Sequence, residues 1–137
     1  MTENEIAQQI VDAAFKIHKT LGPDLLESAY QAILIYELQK RGLILEAEKQ
    51  VPVIYESIQL DIGFRADLIV EDKVIVELKS IDQIAPVHKK QLLTYLRLSD
   101  KRLGLLINFG APLIKDGITR IANQLDEGPL LKPILNN

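Results

Sequence analysis

The stretch Arg65-Ala-Asp-Leu-Ile-Val-Glu-Asp-Lys-Val-Ile-Val-Glu-Leu-Lys79 constrains this chain more than any other part of it. Two β-rich runs, Leu68 to Val70 and Val74 to Val76, flank the polar tripeptide Glu71-Asp72-Lys73, which is a hairpin signal. Side chains alternate along a strand, so Glu77 and Lys79 share one face while Val74, Val76 and Leu78 take the other. A hairpin centred on Asp72 sets Asp67 opposite Glu77, because the two are equidistant from it in sequence. Opposed residues bring their Cβ atoms to roughly 5 Å, where like charges repel. Two carboxylates placed this way, with a lysine beside them, predict a cation held between them. A two-residue turn at Asp72-Lys73 would instead shift the register by one and send the acids to opposite faces.

Composition narrows the classes. A chain of 137 residues predicts one domain with enough apolar surface to build a core unaided. Hydrophobic content of 47% and charged content of 26% belong to an ordinary globular protein. With no cysteine, disulfides, thiolate metal sites and cysteine nucleophiles are excluded. The opening Met-Thr-Glu-Asn-Glu is acidic, and no apolar run approaches the roughly 20 residues of a membrane span, so a cytoplasmic protein with no membrane partner is expected. A net charge of −3 gives no global attraction to nucleic acid. His88, Lys89, Lys90, Arg97, Lys101 and Arg102 nevertheless cluster, either as a solvated helix face or as a phosphate-facing patch.

Thr2-Glu-Asn-Glu5 fits a capping box ahead of Ile6, Ile10, Ala13, Ala14, Ile17 and Leu21, which predicts an amphipathic helix over 3–20, stopped by Gly22-Pro23. A second helix is expected from about Leu25 to Arg41, with Gly42 capping it. Glu27 and Tyr30 share one face of that helix; on their own they read as an acid at a helix start with a tyrosine packed beneath it. From Val51 the period becomes two, predicting strands at Val51–Tyr55 and Ile58–Ile62 before the hairpin. Pro86 opens a third helix through Ser99 that carries Gln91 and Tyr95 on one face. Leu103 to Phe109 suits a central strand covered on both sides. Leu113 to Gly117 is expected as an edge strand or turn, and the domain is expected to span 1–122 with a loosely held tail over 123–137.

This order, with Asp67 and Glu77-Leu-Lys79 placed as they are, resembles the PD-(D/E)XK nuclease superfamily. The resemblance covers roughly residues 6–122. Gln91 and Tyr95 match a Gln-x-x-x-Tyr element of its exonuclease-like branch. The segments Leu21–Tyr30, Phe64–Leu68 and Leu103–Gly110 are similar to those of a bacterial branch, the GxxExxY family. One departure is that Asp24 stands where the GxxExxY family's naming glycine is expected, Gly22 lying two positions earlier.

The resemblance implies an α/β (mixed α+β) fold of the restriction-endonuclease type, an αβββαβ core with a central mixed sheet flanked by helices. It implies Mg²⁺ or Mn²⁺ held by Glu27, Asp67, Glu77 and the Leu78 carbonyl, because hard cations take carboxylate and carbonyl oxygens. Asp67, Glu77 and Lys79 become the catalytic set, with the lysine acting on the attacking water or the developing charge. Gln91, Tyr95, Tyr30 and His88 become expected substrate contacts, with a surface histidine the favoured reading of His88. The implied partner is nucleic acid, DNA first, reached alone or as a homodimer that builds a channel from two chains. Two other classes stay open: a nuclease-like module that binds nucleic acid or a nucleotide without cutting, and an interaction domain in which Asp67, Glu77 and Lys79 form a structural ion cluster.

Overall fold

The computed structural model describes residues 1–125. Its elements run α1 (Glu3–Leu21), α2 (Glu27–Lys40), β1 (Leu45–Tyr55), β2 (Ile58–Val70), β3 (Val74–Lys79), α3 (Pro86–Ser99), β4 (Leu103–Asn108), α4 (Ile114–Gly117) and β5 (Ile118–Ala122). The five strands form one sheet in the order β1-β2-β3-β4-β5. Only β3 and β4 are parallel, joined by the α3 crossover; the other neighbours are antiparallel. This is the mixed sheet flanked by helices that the sequence implied, a restriction-endonuclease-like fold.

Each sheet face has its own core. Ile6, Ile10, Ala13 and Ile17 of α1 and Tyr30, Leu34 and Leu38 of α2 pack on Leu68, Val70, Val74, Val76, Leu78, Leu103, Leu105 and Ile107. Leu92 and Leu96 of α3 pack on Phe64, Ala66, Ile69, Ile75 and Leu106 on the other face. β4 is buried along its whole length because both layers cover it. Asp24 does not adopt a positive φ; the turn before α2 takes its left-handed residue at Gly22, φ 76°, so the aspartate sits there without backbone strain.

Several boundaries differ from expectation. The expected strand at Ile58–Ile62 and the first arm of the hairpin are one continuous strand, β2, and β1 starts at Leu45 rather than Val51. Leu113 to Gly117 is neither an edge strand nor a bare turn: a single helical turn at Ile114–Gly117 leads into β5, which takes the edge beyond β4. Packing continues past residue 122, since the Asn123 amide donates to the Arg102 carbonyl at 2.8 Å and its side chain to the Lys101 carbonyl at 2.9 Å. The rest of the expected tail, 126–137, lies outside the described residues.

The hairpin itself falls as its parity predicted. Leu68 pairs with Val76, Ile69 with Ile75 and Val70 with Val74, which centres the turn on Asp72. Glu71 and Asp72 take φ of 54° and 56°, and Lys101 Nζ holds the Asp72 carbonyl and Oδ1 at 3.0 and 3.1 Å.

Candidate active site

Strict alternation would keep Phe64, Ala66, Leu68 and Val70 on one face of β2. They do not stay there: Phe64 and Ala66 pack toward α3, Leu68 and Val70 toward α1 and α2. The change of face falls at Asp67. Pairing with β1 runs from Ala47–Leu68 to Lys49–Ala66 and skips Glu48 and Asp67, and Glu48 has φ 52°. On the other side, pairing with β3 stops at Leu68–Val76. The Asp67 rung is therefore free of ladder bonds on both sides.

Side chains take over the bonding there. The Leu78 amide donates to Asp67 Oδ2 at 2.8 Å, and the Asp67 amide reaches Glu77 Oε1 at 3.4 Å. Glu77 is alternate to Val76 and Leu78, which are buried against α1 and α2, so it faces the α3 layer with Ile75. Burial first, then the charge of Asp67, pushes the Glu77 carboxyl up to about 8, with Lys79 opposing the shift. The shift favours the protonated form of Glu77 beside Asp67.

Tyr95 closes the α3 side. It stacks on Phe64 with ring centroids 3.9 Å apart and an interplanar angle of 2°. Partial burial, followed by the charges of Glu77 and Asp67, raises its phenol. Gln91 is exposed one turn earlier on the same helix.

Glu27 approaches from the opposite layer. It opens α2 and lines a cleft of about 490 Å³ with Leu26, Ser28, Gln31, Glu48, Arg65 and Asp67. Its carboxyl is raised by partial burial and, more weakly, by Asp67, while Lys79 lowers it. Glu27 and Asp67 thus line one cleft, and Glu77 meets Asp67 from the α3 side. Among the described residues, however, no three His, Cys, Asp or Glu side chains gather closely enough to hold a metal ion. The pair Asp67–Glu77 is assembled, and Glu27 is set back across the cleft. Two carboxylates still suit a hard divalent cation such as Mg²⁺, which keeps several waters and needs only one or two protein carboxylates. The donor chemistry fits: a proton shared between two acids marks a place where a cation can replace it.

Two of the expected contacts make structural bonds of their own. Tyr30 is fully buried, stacked on Phe109 at 4.4 Å, so it cannot touch a substrate. Its hydroxyl donates to the Gly22 carbonyl and accepts from the Leu25 amide at 3.2 Å, fastening the turn that leads to Glu27. His88 Nδ1 accepts from the Ala85 amide at 3.0 Å, while the His88 amide bonds the Ala85 carbonyl; the imidazole caps α3 and has no Nδ1 left for phosphate. In the basic cluster, Lys101 is spent on Asp72 and Arg102 stands 3.7 Å from Asp100, leaving Lys89, Lys90 and Arg97 as exposed cations of α3.

A clamp behind Lys79 was not anticipated. Asn108, 2% exposed, pairs with Lys79 across the parallel ladder. Its Oδ1 accepts from the Ile81 and Gly110 amides, each at 3.0 Å, and its Nδ2 donates to the Ile81 carbonyl at 2.9 Å. A Cβ on Gly110 would run into the Ile81 backbone, which is why glycine stands there. Ser80 Oγ donates to the Leu25 carbonyl at 2.7 Å, tying the exit of β3 to the start of α2. The signal available in the sequence was one amide inside the otherwise apolar Leu103–Phe109 run. A buried polar side chain needs dedicated partners.

A family model described as the PD-(D/E)XK nuclease superfamily matches residues 4–121. No curated protein and no solved structure matches the chain. Among the described residues, no helix is long and apolar enough to cross a membrane.

Proposed function

From the premise that this chain belongs to the PD-(D/E)XK nuclease superfamily, we propose that it is a divalent-metal-dependent nuclease that hydrolyses phosphodiester bonds, with DNA as its substrate and Mg²⁺ or Mn²⁺ as its cofactor. The observation that carries this reading is the Asp67–Glu77 pair at the interrupted ladder, with Glu77 held near a pKa of about 8 beside Lys79. Asp67, Glu77 and the Leu78 carbonyl would hold the cation, with Glu27 facing Asp67 across the cleft. When bound, the cation supplies charge neutralisation at the scissile phosphate and a more acidic attacking water. Glu77 would hold the cation as its carboxylate, with its proton released to solvent. Lys79 orients the water or stabilises charge on the phosphate as it develops. Tyr95 and exposed Gln91 contact the substrate from the α3 side, with Lys89, Lys90 and Arg97 as the flanking positive surface.

Within the superfamily, the Leu21–Tyr30, Phe64–Leu68 and Leu103–Gly110 segments support placement in the GxxExxY branch, and a cytoplasmic location goes with that placement. The modest basic surface favours either a partner or a homodimer that completes the binding channel. The test is incubation with labelled single- and double-stranded DNA and RNA in Mn²⁺ and in EDTA. Metal-dependent cleavage lost in Lys79→Ala supports the reading, and intact substrates under every condition overturn it.

A further inference from the structure

The cleft between α2 and β2 has a wall that the catalytic assignment does not use. Arg65 lies two residues before Asp67 on β2, roughly 7 Å away along the strand, and lines the same cleft as Glu27 and Asp67. Its neighbours Phe64 and Ala66 are buried toward α3, so its side chain leaves the sheet on the α2 side. The guanidinium is exposed but paired. Its NH1 is 2.8 Å from Glu48 Oε1, and the other oxygen of the same carboxylate accepts from Gln31 Nε2 of α2 at 3.2 Å. Glu48 holds this position from a left-handed backbone conformation, φ 52°, at the rung where the β1–β2 ladder skips. A carboxylate held by an arginine and an amide occupies the place, and uses the donors, that a phosphate oxygen pair would use.

We propose that Arg65, with Gln31, is a binding site for a backbone phosphate neighbouring the scissile one, and that Glu48 is a built-in competitor that substrate must displace. The site rests on the nuclease reading for its substrate class, a phosphodiester strand, and deepens it by fixing where the strand enters: between α2 and β2, past Arg65 toward Asp67. An arginine is suited to the task because its planar fork binds two oxygens at once, whether carboxylate or phosphate. An ion pair whose members are 61% and 56% exposed contributes little to stability, so exchanging one anion for another leaves the fold intact. In the free protein the Arg65 guanidinium is paired with Glu48, and a phosphate binds there by replacing that carboxylate.

The experiment reads binding rather than cleavage. A fluorescein-labelled single-stranded oligodeoxynucleotide is titrated by anisotropy with full-length Glu77→Gln protein in EDTA, across a salt series. Arg65→Ala and Glu48→Gln are added separately and together, each variant being checked for an unchanged melting temperature. Arg65→Ala is expected to weaken binding about tenfold and to lower the salt slope by about one phosphate contact. Glu48→Gln is expected to tighten binding several-fold when Arg65 is present and to do nothing when it is absent. Equal effects of Glu48→Gln in both backgrounds would reduce it to bulk charge, and an unchanged affinity in Arg65→Ala would make the pair a surface ion pair; either result overturns the proposal, as does failure of the protein to bind the oligonucleotide at low salt. Because neither metal nor turnover enters the readout, Arg65-dependent binding by a protein whose wild type never cuts would sustain this site while the nuclease reading fell.

Discussion

Near its turn, the β2–β3 hairpin pairs Leu68 with Val76, Ile69 with Ile75 and Val70 with Val74, and all six are at most 3% exposed. One rung further from the turn, Asp67 and Glu77 stand opposite each other with side chains replacing the ladder. The same two strands thus serve two ends. At the closed end, the two strands pair in unbroken register and both faces are covered by helices. At the open end, a half-buried carboxylate is held with a pKa raised to about 8. Stability accumulated in the first region is what lets the second keep a buried carboxyl beside Asp67 at a raised pKa, and the difference between them makes the account testable.

The largest expected effect comes from the closed end. Ile75→Ala removes a fully buried side chain beneath α3 and should lower unfolding free energy by about 2–5 kcal/mol in denaturant titrations. Its metal affinity at Asp67–Glu77 should be unchanged where the protein remains folded; loss of both together would show that the two ends are not separable. Lys79→Ala attacks the open end. It should reduce the rate of cleavage on the order of 10²–10³-fold, with a denaturation midpoint and metal affinity close to wild type. A large stability loss instead would make the lysine a structural counter-charge. Asn108→Ala bridges the two regions, because it strands the Ile81 and Gly110 amides behind Lys79. It should be destabilising by about 1–3 kcal/mol, with faster hydrogen exchange at those two amides than at Leu68 or Val76.

A last effect is a pH dependence. The folded Glu77 pKa lies above the ordinary glutamate value of 4.5, so the native state binds more protons than the unfolded chain between about 4.5 and 8. Its contribution is fully present below the lower value and is lost as pH rises through the upper one. Denaturation in EDTA should therefore show stability falling across that window in wild type and a flatter profile in Glu77→Gln. Identical profiles would mean that burial and Asp67 do not hold the proton.

How much of this was readable beforehand follows a physical line. Hairpin parity needs only the alternation of side chains and the position of the turn, so the Asp67–Glu77 opposition and the shared face of Glu77 and Lys79 could be read directly. The capping box at Thr2 and Glu5 is equally local, and both of its bonds form. Tyr30 shows the limit. Its spacing from Glu27 was right, but which side of α2 meets the core depends on Phe109, far along the chain. His88 was ambiguous for a similar reason, since a ring three residues into a helix can either cap it or face a ligand. The Arg65–Glu48–Gln31 cluster joins two strands and a helix, and nothing in local periodicity brings those residues together. The change of face at Asp67 was also hidden, because strict alternation is the assumption that it breaks.

The central claim is that Asp67 and Glu77 hold a divalent cation in place of a shared proton. Calorimetric titration of Mn²⁺ at pH 7, repeated in buffers of different ionisation enthalpy, measures binding and proton release together. The account predicts saturable binding by wild type with release of a proton, and weakened binding without that release in Glu77→Gln. No binding by wild type at millimolar Mn²⁺, together with a clearly destabilised Glu77→Gln protein, would contradict it and leave Asp67, Glu77 and Lys79 as a structural ion cluster.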